Sequence, residues 1–193
     1  MSKLRPHRHG EWGLVWIVLL DGPSAAAAED ALMAVYAEAF AEPPYLKTAA
    51  DVAANRRRFR SQTRKSAFRA ALATTAEGEP IGIAYGFPLS STTGWWARLT
   101  IPVPEELSRE TGSRTFGLIE LAVRAPWRRQ GIARCLHDTL LDGPEERVLL
   151  NARPDALPAQ AAYRSWGYRV VGQAHPWDGA ALHDVMLREL HSA

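Results

Sequence analysis

Residues 118–134 constrain this chain more than any other stretch, because a strand pattern there runs through a short turn directly into an amphipathic helix. The strand reads Leu118-Ile119-Glu120-Leu121-Ala122-Val123 and the turn Arg124-Ala125-Pro126-Trp127. The helix opens with Arg128-Arg129-Gln130-Gly131-Ile132-Ala133-Arg134 and carries Ile132, Leu136 and Leu140 on one stripe. The first turn of a helix presents unpaired N–H donors and a partial positive charge, so it favours an anion. Gly131 and Ala133 have no bulk to keep oxygens off the main chain, and Arg128, Arg129 and Arg134 can add charge-assisted hydrogen bonds. The spacing is Arg-x-x-Gly-x-Ala. It lacks the Gly-x-Gly-x-x-Gly of a dinucleotide fold and the Gly-Lys-Ser/Thr of a P-loop. The segment therefore predicts a phosphate site of another kind.

The flanking sequence supplies a sheet around it. An apolar run at 14–20 reads as a first strand, followed by a turn at 21–24 with Ser24 as helix N-cap. Ala31, Leu32, Val35, Ala39 and Phe40 recur at helical spacing until Pro43 and Pro44 stop the helix. A second helix is expected over 48–65, with Val52 and Phe59 inward. Strands are expected over 67–74 and 80–87, joined through Glu77-Gly78-Glu79. After a long polar stretch between Pro88 and Thr115 come strand 117–123, helix 131–141, strand 147–152, helix 156–166 and strands 168–173 and 183–190. Gly143 and Gly167 stand where helices end. This order predicts an α/β (mixed α+β) fold with a central, mostly antiparallel sheet of six to seven strands and helices on both faces. With 193 residues, 47% of them hydrophobic, and no internal repeat or long linker, a single domain over 1–193 is expected. Residues 1–12 read as a loose extension that includes His7 and His9.

Several function classes are disfavoured. A formal charge of +2 makes no case for nucleic acid as a partner. The basic residues are nearly all arginine, and Arg56, Arg57, Arg58, Arg60 and Arg64 make the second helix basic; a solvated face and steering of an acidic ligand both explain that. The single cysteine, Cys135, excludes an internal disulfide and any multi-cysteine metal site, and its helical setting suits a packed thiol. No metal is expected. Lys3, Arg5 and Arg8, the apolar run and Ala25 to Ala28 mimic the parts of a secretory signal. Glu11 and Asp21 bracket a run too short to span a membrane, so a buried strand, no membrane partner and a cytoplasmic location are expected.

The run from Leu121-Ala122-Val123 through Arg128-x-x-Gly131-x-Ala133 resembles the acetyl-CoA-binding motif of the GNAT acyltransferases. Downstream, Ala162-Tyr163-Arg164-Ser165-Trp166-Gly167-Tyr168 is similar to that family's Leu-Tyr-x-x-x-Gly-Phe segment. The resemblance implies the GNAT fold and acetyl-CoA as acyl donor. By it, the pantetheine arm follows Leu121, Ala122 and Val123, while Arg128, Arg129, Gln130, Gly131, Ile132, Ala133 and Arg134 hold the pyrophosphate. It also implies that the Tyr163 phenol protonates the departing thiolate, although packing on an alanine-rich helix is the alternative. One departure stands out. The family's helix often begins with an asparagine seven residues before the tyrosine, where this chain has Ala156, and Asn151 cannot be assumed to replace it.

Acyl transfer to nitrogen needs a neutral amine. An aliphatic amine titrates about 3 units above neutral pH, equivalent to roughly 4 kcal/mol, so a base is useful. Glu120, a carboxylate among apolar strand positions, is the candidate; a structural pairing with an arginine explains it equally well. Glu42 and Tyr45, in a turn where GNAT proteins commonly build the substrate mouth, and Trp95 and Trp96 are candidate acceptor-site residues. Pro176 and Trp177 could border the same site. The expected activity is N-acetylation of a small-molecule amine by direct attack in a ternary complex. A peptide amine as acceptor and a non-catalytic acyl-CoA sensor are the alternatives, and a homodimer is compatible with the family.

Overall fold

The structure is a computed structural model that describes residues 4–8 and 14–190. Its elements in chain order are β1 Leu4–Arg8, β2 Leu14–Leu20, α1 Gly22–Ala27, α2 Glu29–Ala41, α3 Ala49–Gln62, β3 Arg69–Thr74, β4 Pro80–Pro88 and α4 Glu105–Ser108. There follow β5 Thr115–Val123, α5 Ile132–Leu140, β6 Arg147–Ala152, α6 Leu157–Ser165, β7 Arg169–Ala174 and β8 His183–Glu189. Two compact units emerge: Met1–Phe87 with Ile119–Gly143, and Pro88–Leu118 with Pro144–Ala193.

In the first unit, β1, β2, β3 and β4 pair antiparallel in that order. Within the stretch read as a loose extension, residues 4–8 form β1; His9 and the remainder of that stretch lie outside the described residues. The strands alternate between two buried faces, as the near-continuous apolar runs require. Leu20, Ala70, Leu72, Ile83 and Tyr85 pack with α1, α2 and α3 through Leu32, Tyr36, Phe40 and Phe59. Gly82, of opposite parity to Ile83, faces Ile132 and Leu136 of α5, which packs on β2 and β3. Helices thus cover both faces of this unit.

The helix boundaries follow local chemistry. α1 is capped by Asp21, whose extended backbone stands outside the helix and whose Oδ1 accepts from the Ser24 amide at 2.9 Å. This corrects the expectation that Ser24 is the cap: Ser24 is the third helical residue, and the aspartate reaches it from one turn earlier. α3 begins with a capping box, Thr48 Oγ1 accepting from Asp51 N–H and Asp51 Oδ2 accepting from Thr48 N–H. The hairpin at Gly78 is as expected, closed by Thr75 N–H donating to Glu79 O at 2.9 Å.

Gly22 joins α1 to the end of α3. A Cβ there would stand 2.1 Å from the Thr63 carbonyl oxygen, a backbone atom that cannot rotate away. Gly22→Ala is therefore expected to destabilise the protein by about 1–3 kcal/mol, read as a lower urea midpoint at unchanged slope.

In the second unit, β5 begins beside β6 in parallel, with Thr115 opposite Arg147 and Gly117 opposite Leu149. β6 pairs antiparallel with β8, and β8 with β7. The core is Leu89, Trp96, Leu149, Ala174, Val185 and Leu187. Its polar heart is a buried ion pair, Arg147 to Glu110 at 2.9 Å, each side chain 1% exposed. Thr115 Oγ1 accepts from Arg147 Nε at 2.7 Å, and Trp96 Nε1–H donates to Glu110 Oε1 at 2.9 Å.

The mixed, mostly antiparallel α/β character matches the sequence reading, with β1 added to the seven strands read there. Among the described residues, no helix is long and apolar enough to cross a membrane.

Candidate active site

The turn after β5 lies wholly in the first unit. A single 3-10 turn, Ala125–Trp127, ends β5 cleanly, and Arg124 N–H donates back to Ile81 O at 2.9 Å. The chain then takes two left-handed residues, Arg129 at φ 61° and Gly131 at φ 79°. A non-glycine in that region is strained, so the turn at Arg129 is held by its surroundings. Gly131 is the N-cap of α5 and supplies no side-chain cap. The first turn of α5 therefore gains no hydrogen bond from its N-cap side chain. Gly131 is exposed while Ile132 is buried, which anchors the helix beneath an open backbone.

The arginines divide their roles. Arg128 Nε donates to Val123 O at 2.9 Å, and its guanidinium pairs with Glu42 at 2.5 Å. Two residues read separately, one for the coenzyme and one for the acceptor, are therefore partners, and the pair ties the end of α2 to the end of β5. Arg134 pairs with Asp138 one turn along α5 at 2.7 Å. Arg129 is exposed. Gln130 Nε2 donates to Pro126 O at 3.1 Å, bracing the turn from inside. Leu121 is half-buried, and Ala122 and Val123 are buried. Cys135 is half-buried, and burial followed by the Asp138 carboxylate pushes its thiol up, away from the thiolate a nucleophile needs.

Glu120, half-buried, sits in a polar cluster of the same unit. Its Oε1 accepts from Asn55 Nδ2 at 3.0 Å, and Asn55 Oδ1 accepts from the Tyr85 hydroxyl at 3.2 Å. Asn55, Tyr85 and Tyr36 are all buried. Burial dominates the electrostatics and raises the Glu120 carboxyl to about 7; Arg58, the Asn55 hydrogen bond and Lys47 oppose it, in that order. Burial, then the Glu120 charge, also drive the Tyr36 and Tyr85 phenols upward, so both stay protonated. A carboxyl balanced near neutrality can take a proton and release it again. The sequence reading missed Asn55, although a signal was present: Val52, Asn55 and Phe59 share the inner stripe of α3, and a polar residue among apolar ones there needs a partner.

Arg56 and Arg60 of the basic helix grip Glu29, at 2.8 and 2.6 Å, and Arg56 also meets Asp30. This accounts for part of the arginine cluster as a helix–helix clasp. Tyr45 is half-buried with its ring edge-on to Phe40 at 4.8 Å.

The second unit holds Tyr163. Its half-buried ring meets Trp166 at 5.6 Å and Tyr168 at 5.4 Å, both edge-on. α6 ends one turn later with Gly167 at φ 90°, and Tyr168 N–H donates to Tyr163 O at 3.0 Å, which fixes the tyrosine at the helix end. Ala156, at the asparagine position, is the N-cap of α6 and makes no side-chain cap. Trp96 is committed to the Glu110–Arg147 core, with the Arg147 guanidinium 5.6 Å from its ring centre. Trp95 packs beside the same core, half-buried. Trp177 is 43% exposed and lies 5.7 Å from the His183 ring.

Known proteins share this fold. A family model described as the acetyltransferase (GNAT) family matches residues 32–168. A GNAT-family acetyltransferase from Staphylococcus aureus is similar in structure, with a TM-score of 0.64 at 14% identity over 91% of this chain and 99% of that one. A ribosomal-protein-alanine N-acetyltransferase from Escherichia coli gives 0.60 at 18% identity over 93% and 96%. The protein yncA from Salmonella typhimurium, solved with its cofactor acetyl-CoA, gives 0.60 at 12% identity over 100% and 96%. No curated protein sequence matches the chain. The family model spans both the glycine turn and the Tyr163 segment, well over half of the sequence, and the chain belongs to the GNAT acetyltransferase family.

Proposed function

We propose that the protein moves an acetyl group from acetyl-CoA to the amine of a small molecule, by direct attack in a ternary complex. The carrying observation is the α5 N-terminus, whose N-cap Gly131 has no side chain and lies, like Arg129 two residues earlier, in the left-handed region. These residues fit a pyrophosphate. Gly131 leaves room for oxygens, the first N–H groups of α5 are donors, and the exposed Arg129 adds charge. Acetyl-CoA as the donor is supported by family membership and by the Salmonella protein's cofactor.

The chemistry assigned to the chain's own side chains is simple. Glu120 accepts a proton from the attacking amine as the nitrogen bonds to the thioester carbon. Tyr163 donates a proton to the sulfur as the carbon–sulfur bond breaks, giving the amide and the free thiol of coenzyme A. A carboxyl at about 7 suits the first task at neutral pH. For acetyl-CoA the main-chain groups of Leu121 and Val123 align the pantetheine arm, as the family resemblance implies.

The test is thiol release from acetyl-CoA across a panel of small amines, lysine-containing peptides and peptides with free N-termini. Release with one small-amine class, and none with peptides, is the expected result. Turnover confined to peptides replaces the small-molecule acceptor with a protein one. Coenzyme binding without turnover on any class overturns the enzymatic reading.

A further inference from the structure

We propose that Asn55 is the positioning residue of Glu120, with the Tyr85 hydroxyl bracing the far end of its amide. This deepens the reading of Glu120 as the base and rests on it for its catalytic consequence. The geometry carries it. Asn55 is 1% exposed on the inner stripe of α3, where a polar side chain is costly unless satisfied. Its two ends have different partners: Nδ2–H donates to Glu120 Oε1 at 3.0 Å, and Oδ1 accepts from the Tyr85 hydroxyl at 3.2 Å, with the Tyr36 hydroxyl a further hydrogen-bond neighbour.

The two ends are not interchangeable. An ionised carboxylate only accepts, so it requires the amide nitrogen. A protonated phenol can donate, and the buried Tyr85 hydroxyl, held in its protonated form, gives its proton to the amide oxygen. Turning the amide over would set its oxygen against the ionised carboxylate, while the Tyr85 hydroxyl can turn to accept as well as donate, so the carboxylate is what discriminates. Glu120, on β5, thus selects the orientation of Asn55, on α3, that offers it a donor, and the Tyr85 hydroxyl, on β4, braces the other end of the amide. Three elements of one unit are joined by this chain of two hydrogen bonds.

The consequence is directional. A donor to the ionised form stabilises it, so Asn55 restrains the upward push that burial exerts on Glu120. The charged groups facing this carboxyl are Arg58 of α3 and Lys47 before it; the phenols are Tyr36 of α2 and Tyr85 of β4. Arg58 and Lys47 pull the same way as Asn55 and remain in the variants below, so the change reads the amide alone. Without Asn55, Glu120 stays protonated further into the neutral range, and the lone carboxylate oxygen loses its fixed direction.

The experiment titrates the protein itself, free of coenzyme and acceptor. Glutamate carboxyl carbons are labelled with carbon-13, and the Glu120 resonance is assigned by its absence in Glu120→Gln. In the wild type it titrates near neutrality. Asn55→Leu, of similar volume, raises the midpoint by about one pH unit, the size of one lost hydrogen bond to a charged group. Tyr85→Phe removes a single oxygen, keeps the ring contacts with Phe59 and Phe68, and raises the midpoint in the same direction by less. It decides the matter if the buried Asn55→Leu change prevents folding. A midpoint unmoved in either folded variant overturns the proposal. In turnover, the acidic limb of kcat/KM follows the midpoint while KM for acetyl-CoA stays constant. Full activity in Glu120→Gln removes Glu120 as the base, and the midpoints still decide the role of Asn55.

Discussion

Tyr163→Phe lowers turnover by about 10²–10⁴-fold while leaving the affinity for acetyl-CoA within about twofold. The variant is a clean one because it retains the ring. The edge-on contacts with Trp166 and Tyr168 and the main-chain bond from Tyr168 to Tyr163 do not involve the hydroxyl, so the end of α6 keeps its shape. What disappears is the phenolic hydroxyl, with its acidic proton. A thiol leaves readily near its own pKa, so the loss is expected at the lower end for good amine nucleophiles and at the upper end for poor ones. The measurement is steady-state thiol release, with the coenzyme affinity determined separately. An unchanged rate removes Tyr163 from the chemistry and leaves it as packing at the helix end.

Glu120→Gln changes two quantities in opposite directions. Activity falls by about 10²–10⁴-fold if the carboxylate takes the amine proton, and the acidic limb of the kcat/KM profile disappears. Stability rises. The Glu120 carboxyl is raised from 4.5 to about 7 in the folded protein, chiefly by burial. Between those values the native state binds more protons than the unfolded state, so the wild type loses stability as pH climbs through that window and is level above it. Glutamine has no proton to lose, and it still offers Asn55 an oxygen. The variant should match the wild type in relative terms below about pH 4.5 and gain on it by about 1–3 kcal/mol above pH 7. Urea unfolding at pH 5 and pH 8 reads the difference. A gap independent of pH contradicts the raised carboxyl.

The strands and the long helices were legible because their apolar residues repeat at fixed intervals, and α5 was legible from its stripe of Ile132, Leu136 and Leu140. Ends and networks were not. Ser24 looked like a cap because serine commonly serves as one, yet Asp21 stands three residues earlier and reaches its amide. The Arg128–Glu42 pair joins positions far apart in sequence, and nothing local announces it. Trp96 is a similar case. Beside Trp95 in a polar stretch it reads as a candidate acceptor-site residue, and nothing local announces that its indole N–H donates to Glu110, which also accepts from Thr115 and Arg147. The turn at Gly131 was the most legible part of the candidate site because glycine and small residues at a strand-to-helix junction act through the backbone, where sequence spacing is itself the geometry. Side-chain networks such as Glu120–Asn55–Tyr85 depend on how three elements pack, and spacing carries little of that.

The turn is also where the proposed function is most exposed to test. Equilibrium binding of acetyl-CoA, measured by calorimetry on the wild type and on Gly131→Val, addresses it directly. Valine at φ 79° is strained and adds a branched side chain at the N-cap of α5. Saturable binding by the wild type, weakened at least about tenfold in the folded Gly131→Val protein, is the predicted result. No binding by the wild type, or equal affinity in both proteins, contradicts the assignment of this turn as the coenzyme's phosphate cradle.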